Sequence, residues 1–408
     1  MKHFRRTVLS PYHYAWALFS ALWYGFPARK LTVIGITGTK GKSSVAEMLF
    51  DTLQSEHKTA LAGTIRFAIG EESKPNLYKM TLPGRGFIQK FLADAVKKGA
   101  THAVLEITSE AALQHRHAFL FLDALIFTNL EPEHIESHGS MEKYFQAKMR
   151  IGTALAHSSK RPRAIVANKD SEYGQRFLKL PVETVLPFSF ADAAQAQITD
   201  DHIAFTYHDH VFRVPQPGKF SVMNALAVIT TAKWLGLSLP KIAEALSKID
   251  RIPGRAERID EGQTFTVLVD YAHTPESLKA LYETFEKRHT ICVLGNTGGG
   301  RDTWKRPLMG KIADEMCDKV FLTNEDPYDE DPEAIVQAMA EGMERAPTII
   351  MDRREAIRAA LAAAHPGDAV LITGKGTDPY LMEANGKKTP WSDAQVTREE
   401  LLMLSRKS

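Results

Sequence analysis

The stretch VIGITGTKGKSSVAEML, residues 33–49, constrains this chain more than any other. A β-branched run enters a turn punctuated by glycine and lysine, and a helical pattern follows. That order buries the strand in a sheet and turns the loop's N–H groups and the helix start toward one point. Gly38 and Gly41 let the backbone approach phosphate oxygens, with Thr39 and Lys40 between them. Lys42 offers a point charge to β- and γ-phosphates, and the Ser43 or Ser44 hydroxyl can ligate Mg²⁺. Ile36 stands where the strict pattern has glycine, so the loop is a variant. A glycine turn with no nucleotide is the plain alternative, and the strand, loop and helix in sequence argue against it.

The rest of the chain repeats this alternation. LTVIGI (31–36), HAVLEI (102–107), DALIFT (123–128) and RAIVAN (163–168) read as buried strands, with helical patterns near 45–54 and 86–98. Such alternation predicts a mostly parallel sheet covered by helices. Between about 183 and 215 the short runs HIAFTYH and HVFRVP predict a small antiparallel patch, followed by helices at 221–235 and 239–249. The segment RIPG at 251–254 reads as a boundary. After it TFTVLVDY, HTICVLGN, KVFLTN, PTIIMD and DAVLITG give five more strands, a second α/β unit of Rossmann-like layout. The expected division is an aromatic segment over 1–30, an ATP-binding unit over 31–250 and a second unit over 251–408. Two nucleotide-type folds in series place the site between them.

Charge excludes one class of partner. Lys+Arg 51 against Asp+Glu 49 leaves no global field to hold a nucleic-acid backbone. Cys292 and Cys317 are too few for a disulfide framework or a cysteine zinc site, and a reducing cytoplasm fits. No run reaches the ~20 apolar residues that span a bilayer. The nearest is PYHYAWALFSALWYGF (11–26), preceded by Lys2, Arg5 and Arg6. A signal peptide has that charge order, but export would separate an ATP site from its substrate. Two readings remain: an interfacial helix with Trp16, Trp23 and Tyr24 near lipid headgroups, or a helix whose aromatics join the first unit's core. The second is preferred.

Further motifs follow in order: EITSEAALQHR (106–116), TNLEPEHIESHGSMEKYFQAK (128–148), PGRAERID, VDYAHTPESL, KRPLMGKIAD, DRREAI and LITGKGTDPY. With GTKGKSS, they resemble the Mur ligase superfamily and most closely its MurE-type branch, over about nine-tenths of the chain. The resemblance implies a cytoplasmic ATP-dependent ligase of peptidoglycan precursor synthesis, and so of cell-wall biogenesis, cell shape and division. It implies a muramoyl-peptide-type donor, a free amino acid, Mg²⁺ and a monomer. ATP would phosphorylate the donor carboxylate, and an amine would attack the acyl phosphate. Positioning and charge neutralisation then carry the catalysis.

By the same resemblance Glu106 and His134 are Mg²⁺ ligands beside Ser43. Lys148 corresponds to a lysine that carries a carbamate, an anion that helps hold a second metal. Arg255 corresponds to the γ-phosphate arginine, its planar guanidinium suited to charge spread over transferring oxygens. Asn224 corresponds to an adenine-contacting asparagine, and Ser221 replaces a second one. Asp270 and His273 would meet the ribose and phosphate side of the nucleotide. Thr108, Ser109, Gln114 and Arg116 fall in the donor region. Arg301, Glu325, Asp326, Pro327, Tyr328, Gly374 and Asp378 fall in the amino-acid region.

The chain departs from that pattern in three places. The first domain that grips the UDP end of the donor has no counterpart in the 30 residues before the first strand, so a shortened or lipid-linked donor is expected as an alternative. Where diaminopimelate enzymes carry D-N-P-R, this chain reads Glu325-Asp326-Pro327-Tyr328. Losing that arginine removes a bidentate carboxylate clamp and brings lysine, ornithine or another amino acid level with diaminopimelate, and the extra acids Glu325 and Asp329 would favour a distal ammonium. The motif G-K-G-H-E reads GKGTD, with Asp378 keeping a carboxylate for the incoming amine. Competing readings are a folylpolyglutamate-synthase-like ligase and a non-catalytic nucleotide-binding module. The amidating, partner-type Mur ligase is a further reading, and that branch typically carries a four-cysteine insert, which two cysteines cannot supply.

Overall fold

A computed structural model describes residues 2–84, 86–133, 138–300 and 302–406. The phosphate-loop strand β1 (Thr32–Thr37) lies within an eight-stranded sheet. Its other members are β2 (Thr59–Ala62), β3 (Arg66–Ile69), β4 (Glu72–Pro75), β5 (His102–Glu106), β6 (Ala124–Phe127), β7 (Ala164–Asn168) and β8 (Thr184–Phe188). The order is β4-β3-β2-β5-β1-β6-β7-β8. β2 and β5 to β8 run parallel to β1, while β3 and β4 form an antiparallel edge that the sequence patterns did not reveal.

Side chains alternate between the two faces of this sheet, as a pleated strand requires. Ile34 and Ile36 of β1 and Val104 of β5 pack with the helices Lys42–Gln54 and Lys219–Trp234. Val33, Ala103 and Leu105 pack on the opposite face with the helices Phe87–Lys97 and Met141–Ala156. The expected antiparallel patch is present as β9 (Ala194–Ile198), β10 (Ile203–Tyr207) and β11 (His210–Val214). Phe205 and Phe212 of that patch join the first face's core.

A six-stranded sheet follows, built from β12 (Glu257–Ile259), β13 (Thr266–Asp270), β14 (Thr290–Leu294), β15 (Lys319–Leu322), β16 (Thr348–Ile349) and β17 (Ala369–Thr373). Its order is β12-β13-β17-β14-β15-β16, parallel except for β12. A hairpin, β18 (Tyr380–Met382) and β19 (Lys388–Pro390), closes its C-terminal side. A disulfide joins Cys292 on β14 to Cys317, just after the helix Lys305–Met316. It is one buried link rather than a framework, and the cysteine count alone did not anticipate it.

The N-terminal segment forms the helix Lys2–Trp23, but its aromatics are not core. Tyr12, Trp16, Phe19 and Trp23 are 47%, 39%, 53% and 73% exposed. Their 4-3-4 spacing puts them on one helical face, where successive ring centroids lie 6.4, 5.8 and 6.0 Å apart. The helix is held from its other side. Ala21 and Ser20 are buried, Ser10 hydrogen-bonds His115 Nε2 at 2.8 Å, and Tyr14 meets His115 and Phe119. The preferred sequence reading is therefore corrected: a long helix needs only one face for docking, and here the aromatic face is the other one.

Candidate active site

The phosphate loop is shaped by contacts that only glycine tolerates. Gly41 has φ +79, and a Cβ there would lie 2.4 Å from Asn224 Oδ1. Gly38 is packed as closely, since a Cβ would lie 1.9 Å from Thr128 Oγ1. Asn129 straps the loop, its carbonyl accepting from Thr39 N–H at 3.0 Å and its Oδ1 from Lys40 N–H at 2.8 Å. Gly41 caps the helix Lys42–Gln54 without any side-chain hydrogen bond. The first N–H groups of that helix are thus left for an anion.

Buried cations and carboxylates gather around the loop. Lys42 Nζ donates to Thr39 O at 2.8 Å, and burial lowers its pKa against the pull of Glu106. Ser43 Oγ donates to Glu106 Oε1 at 3.1 Å, and Thr64 N–H donates to Glu106 Oε2 at 2.9 Å. Lys148 comes from the helix Met141–Ala156, whose first turn is capped by Ser140. Its Nζ donates to Gly38 O at 2.6 Å and lies 4.4 Å from the Tyr144 ring centre. Burial first, then the neighbouring Lys42, push the Lys148 amine well below its ordinary range. Ser44 follows Ser43 in the same helix, half-buried.

The second sheet contributes from across the molecule. Arg255 NH2 donates to Ser43 Oγ at 3.2 Å, and its guanidinium lies 4.3 Å from the Tyr271 ring centre. It makes no pair with Glu257, which instead meets Arg398 and the Gly254 N–H. Asp270, at the end of β13, accepts from the N–H groups of Ala256 and Ala272 at 2.6 Å each. Burial raises its pKa, and Arg255 opposes the rise. His273 Nδ1 meets Tyr271 O at 2.6 Å and Nε2 meets Glu133 Oε1 at 2.7 Å. Burial and nearby Lys40 push the ring down to about 4. With Nδ1–H on a carbonyl, the second contact needs one more proton, shared between the ring and Glu133. Lys305 Nζ donates to His273 O at 2.9 Å.

The expected amino-acid region forms a second cluster. Asp326 Oδ1 accepts from Lys375 Nζ at 2.7 Å and Met382 N–H at 2.8 Å. Lys79, from the first sheet's side, reaches Asp326 at 2.9 Å and Asp378 at 3.2 Å. Burial would raise Asp326, but Lys375 and Lys79 hold it below the usual range. Glu325 accepts from Thr297 Oγ1 at 2.8 Å, burial raises its pKa, and Gly374 leaves no room for a Cβ beside it. Tyr328 adopts φ +52 after Pro327 and donates its N–H to Met382 O at 3.0 Å. Asp329, an acid suggested for a distal ammonium, is taken by the Asn385 N–H at 2.7 Å.

In the donor region Thr108 caps the helix Ser109–Leu113, and Ser109 Oγ meets His138 Nε2 at 3.2 Å. Arg116 donates to Leu82 O and Gln114 Oε1, both at 2.5 Å. His134 and Arg301 lie outside the described residues. Lys79, Glu133, Tyr144, Lys305 and Lys375 were missed by sequence reasoning. Lys79 carries no motif signal at all, whereas Lys375 lies inside the GKGTD motif that was read only for its ends.

The candidate magnesium ligands fit a hard cation. Ser43 and Glu106 are buried oxygen donors 3.1 Å apart at the end of the phosphate loop, and Mg²⁺ needs few protein ligands when phosphates supply the rest. Among the described residues no cluster of three or more His, Cys, Asp or Glu gathers for a metal. None of their helices is long and apolar enough to cross a membrane.

Comparison with known proteins agrees with this geometry. The Mur ligase middle domain matches residues 36–232, and the Mur ligase, glutamate ligase domain matches 254–376. A UDP-N-acetylmuramoyl-L-alanyl-D-glutamate–2,6-diaminopimelate ligase of Gloeobacter violaceus is 37% identical over 94% of this chain and 80% of its own length. A UDP-N-acetylmuramyl-tripeptide synthetase of Roseiflexus sp. is 35% identical over 96% of this chain and 82% of its own. A solved ligase structure of the first kind superposes with TM-score 0.63 at 30% identity, over 92% of this chain and 79% of that one. Folylpolyglutamate synthase of Mycobacterium tuberculosis reaches 0.72 over 89% and 93%, but at 16% identity it shares only the fold. By sequence and by architecture, then, the chain belongs to the Mur ligase family and sits among its MurE-type members.

Proposed function

We infer that this protein is an ATP-dependent ligase that joins an amino acid to a muramoyl-peptide-type carboxylate in peptidoglycan precursor synthesis. One observation carries the reading: Arg255 of the second half donates to Ser43 of the phosphate loop, whose hydroxyl also meets Glu106. A transferring phosphoryl group needs donors on several sides, and this arrangement supplies them from two sheets.

The chain's residues divide the work. Lys42 and the loop amides hold the triphosphate. Asn224 stands against Gly41 on one side, and Asp270 and His273 close from the other. Arg255 neutralises the oxygens of the transferring group as the donor carboxylate oxygen attacks γ-phosphorus and ADP departs. The amine then attacks the acyl carbon, losing its proton as phosphate leaves with the original carboxylate oxygen. Asp326 and Asp378 face the amine side. Ser43, Glu106 and His134 would hold Mg²⁺, which supplies charge neutralisation to the phosphate oxygens. Lys148 is the further candidate, as a carbamate formed when its neutral amine adds to CO₂ and releases a proton.

The finer reading has four parts. The acceptor is a diamino acid, lysine, ornithine or diaminopimelate. The donor either carries UDP or is a shortened or lipid-linked form. The enzyme works as a cytoplasmic monomer, and the exposed aromatic stripe lets residues 11–26 rest on a membrane surface. No nucleic acid takes part. Phosphate release with ATP and Mg²⁺ tests the whole, across donors with UDP, without it and lipid-linked, each against these amino acids. Turnover with one pair is expected. Tight ATP binding with no turnover for any pair would point instead to a non-catalytic module.

A further inference from the structure

The carboxylates on the amine side, Asp326 and Asp378, already hold ammonium groups of the chain itself. Lys375 Nζ lies 2.7 Å from Asp326 Oδ1, 3.5 Å from Asp378 Oδ2 and 2.7 Å from Tyr380 O. Its three protons have three acceptors within reach, and its side chain is fully buried. Lys79 Nζ lies 2.9 Å from Asp326 Oδ2 and 3.2 Å from Asp378 Oδ2. Two cations thus face two carboxylates at this point. A further ammonium entering beside them would be repelled by both lysines in a largely buried site. An acceptor that seats its ammonium here must therefore replace one of them.

Lys79 is the one placed to leave. Lys375 follows β17 in the same half of the molecule as its partners, whereas Lys79 reaches across from the loop between β4 and the helix Phe87–Lys97. Its backbone has φ +51, a left-handed conformation that a residue with a Cβ adopts at a cost. The loop is turned inside out around it. Leu77, Tyr78 and Met80 are 52%, 54% and 44% exposed, while the Lys79 side chain between them points inward and is 16% exposed. Asn76 braces the loop's base: its Nδ2 donates to Gly63 O at 2.8 Å and Met80 O at 3.0 Å, and its Oδ1 accepts from the Tyr78 N–H at 3.0 Å. Breaking the two ion pairs would let the Lys79 backbone relax between these anchors. The end of its side chain, a primary ammonium on a methylene stem, has the chemistry of the distal end of lysine or ornithine.

We propose that Lys79 is an internal occupant of the acceptor's ammonium seat, and that the incoming amino acid displaces it, ammonium for ammonium. This rests on the ligase reading above, which puts the acceptor at Asp326 and Asp378. The test measures acceptor KM for the full chain at saturating ATP, Mg²⁺ and donor, in wild type, Lys79→Ala and Lys79→Arg. Lys79→Ala should lower the acceptor KM at least ~5-fold, the equivalent of one partly screened ion pair. Lys79→Arg keeps a cation in the seat and should stay near wild type. Loss of a merely structural contact would not tighten acceptor binding. n-Propylammonium restores the atoms that Lys79→Ala removes, so it should inhibit that variant competitively with the acceptor and leave wild type unaffected. A higher acceptor KM in Lys79→Ala would overturn the proposal and make Lys79 a clamp for an acceptor carboxylate. An unchanged KM would overturn it by separating the two seats. Wild type that turns over no donor–acceptor pair would sink the ligase reading, and calorimetric titration with n-propylammonium then decides the seat alone. Saturable binding to Lys79→Ala but not to wild type would support the occupant, and no binding to either would overturn it.

Discussion

Lys148 shows how much a single residue's role depends on its surroundings. In the sequence it is one lysine of QAKMR, given meaning only by its distance from the phosphate loop. In the structure it is fully enclosed, its amine bonded to Gly38 O and facing Lys42. A depressed amine is the neutral nucleophile that CO₂ requires. In ¹³C-bicarbonate the wild type should show a carbamate resonance that Lys148→Ala lacks, and that variant should lose at least ~100-fold in kcat. A spectrum without the resonance, at unimpaired activity, would remove the carbamate. The residues around it were legible to different degrees. Gly38, Lys42, Ser43, Glu106 and Arg255 stand in recognisable motifs, and the structure brings them together. Lys79 was not legible, because its partners Asp326 and Asp378 lie hundreds of positions away and the pairing exists only after two units dock.

At the scale of elements, the strands were the clearest part of the sequence. Runs such as TVIGIT and AVLIT are buried on both faces and read as continuous apolar text. β3 and β4 escaped notice because β4, ESKP, is exposed throughout and carries no apolar pattern. The N-terminal helix was recognised as a helix, yet its burial was assigned to the wrong face. Aromatic content marks a surface that excludes water but does not say whether protein or lipid covers it. The stripe of Tyr12, Trp16, Phe19 and Trp23 follows Lys2, Arg5 and Arg6, and the first acidic residue of the chain is Glu47. Anionic vesicles should therefore sediment with the wild type, and Phe19→Ser/Trp23→Ser should cut that binding at least ~10-fold. Equal recovery with and without vesicles would leave the helix no membrane role.

Across the whole molecule, the site exists only where the two sheets face each other. Arg255 on Ser43, His273 on Glu133 and Lys79 on Asp326 and Asp378 are the contacts that hold that arrangement. Of these, the Lys79 ion pairs, partly screened, are worth about 1 kcal/mol, roughly fivefold in an open–closed equilibrium. Lys79→Ala should accordingly enlarge the radius of gyration of the unliganded protein in solution scattering, with ATP and donor restoring the compact form. An unchanged radius would mean that Lys79 does not govern closure.

The most direct test of the central claim follows one oxygen. With a donor carboxylate labelled by ¹⁸O, ATP, Mg²⁺ and the accepted amino acid, the account predicts that each amide bond formed transfers one labelled oxygen to inorganic phosphate. Amide formation with unlabelled phosphate, or phosphate release without an amide, would contradict it.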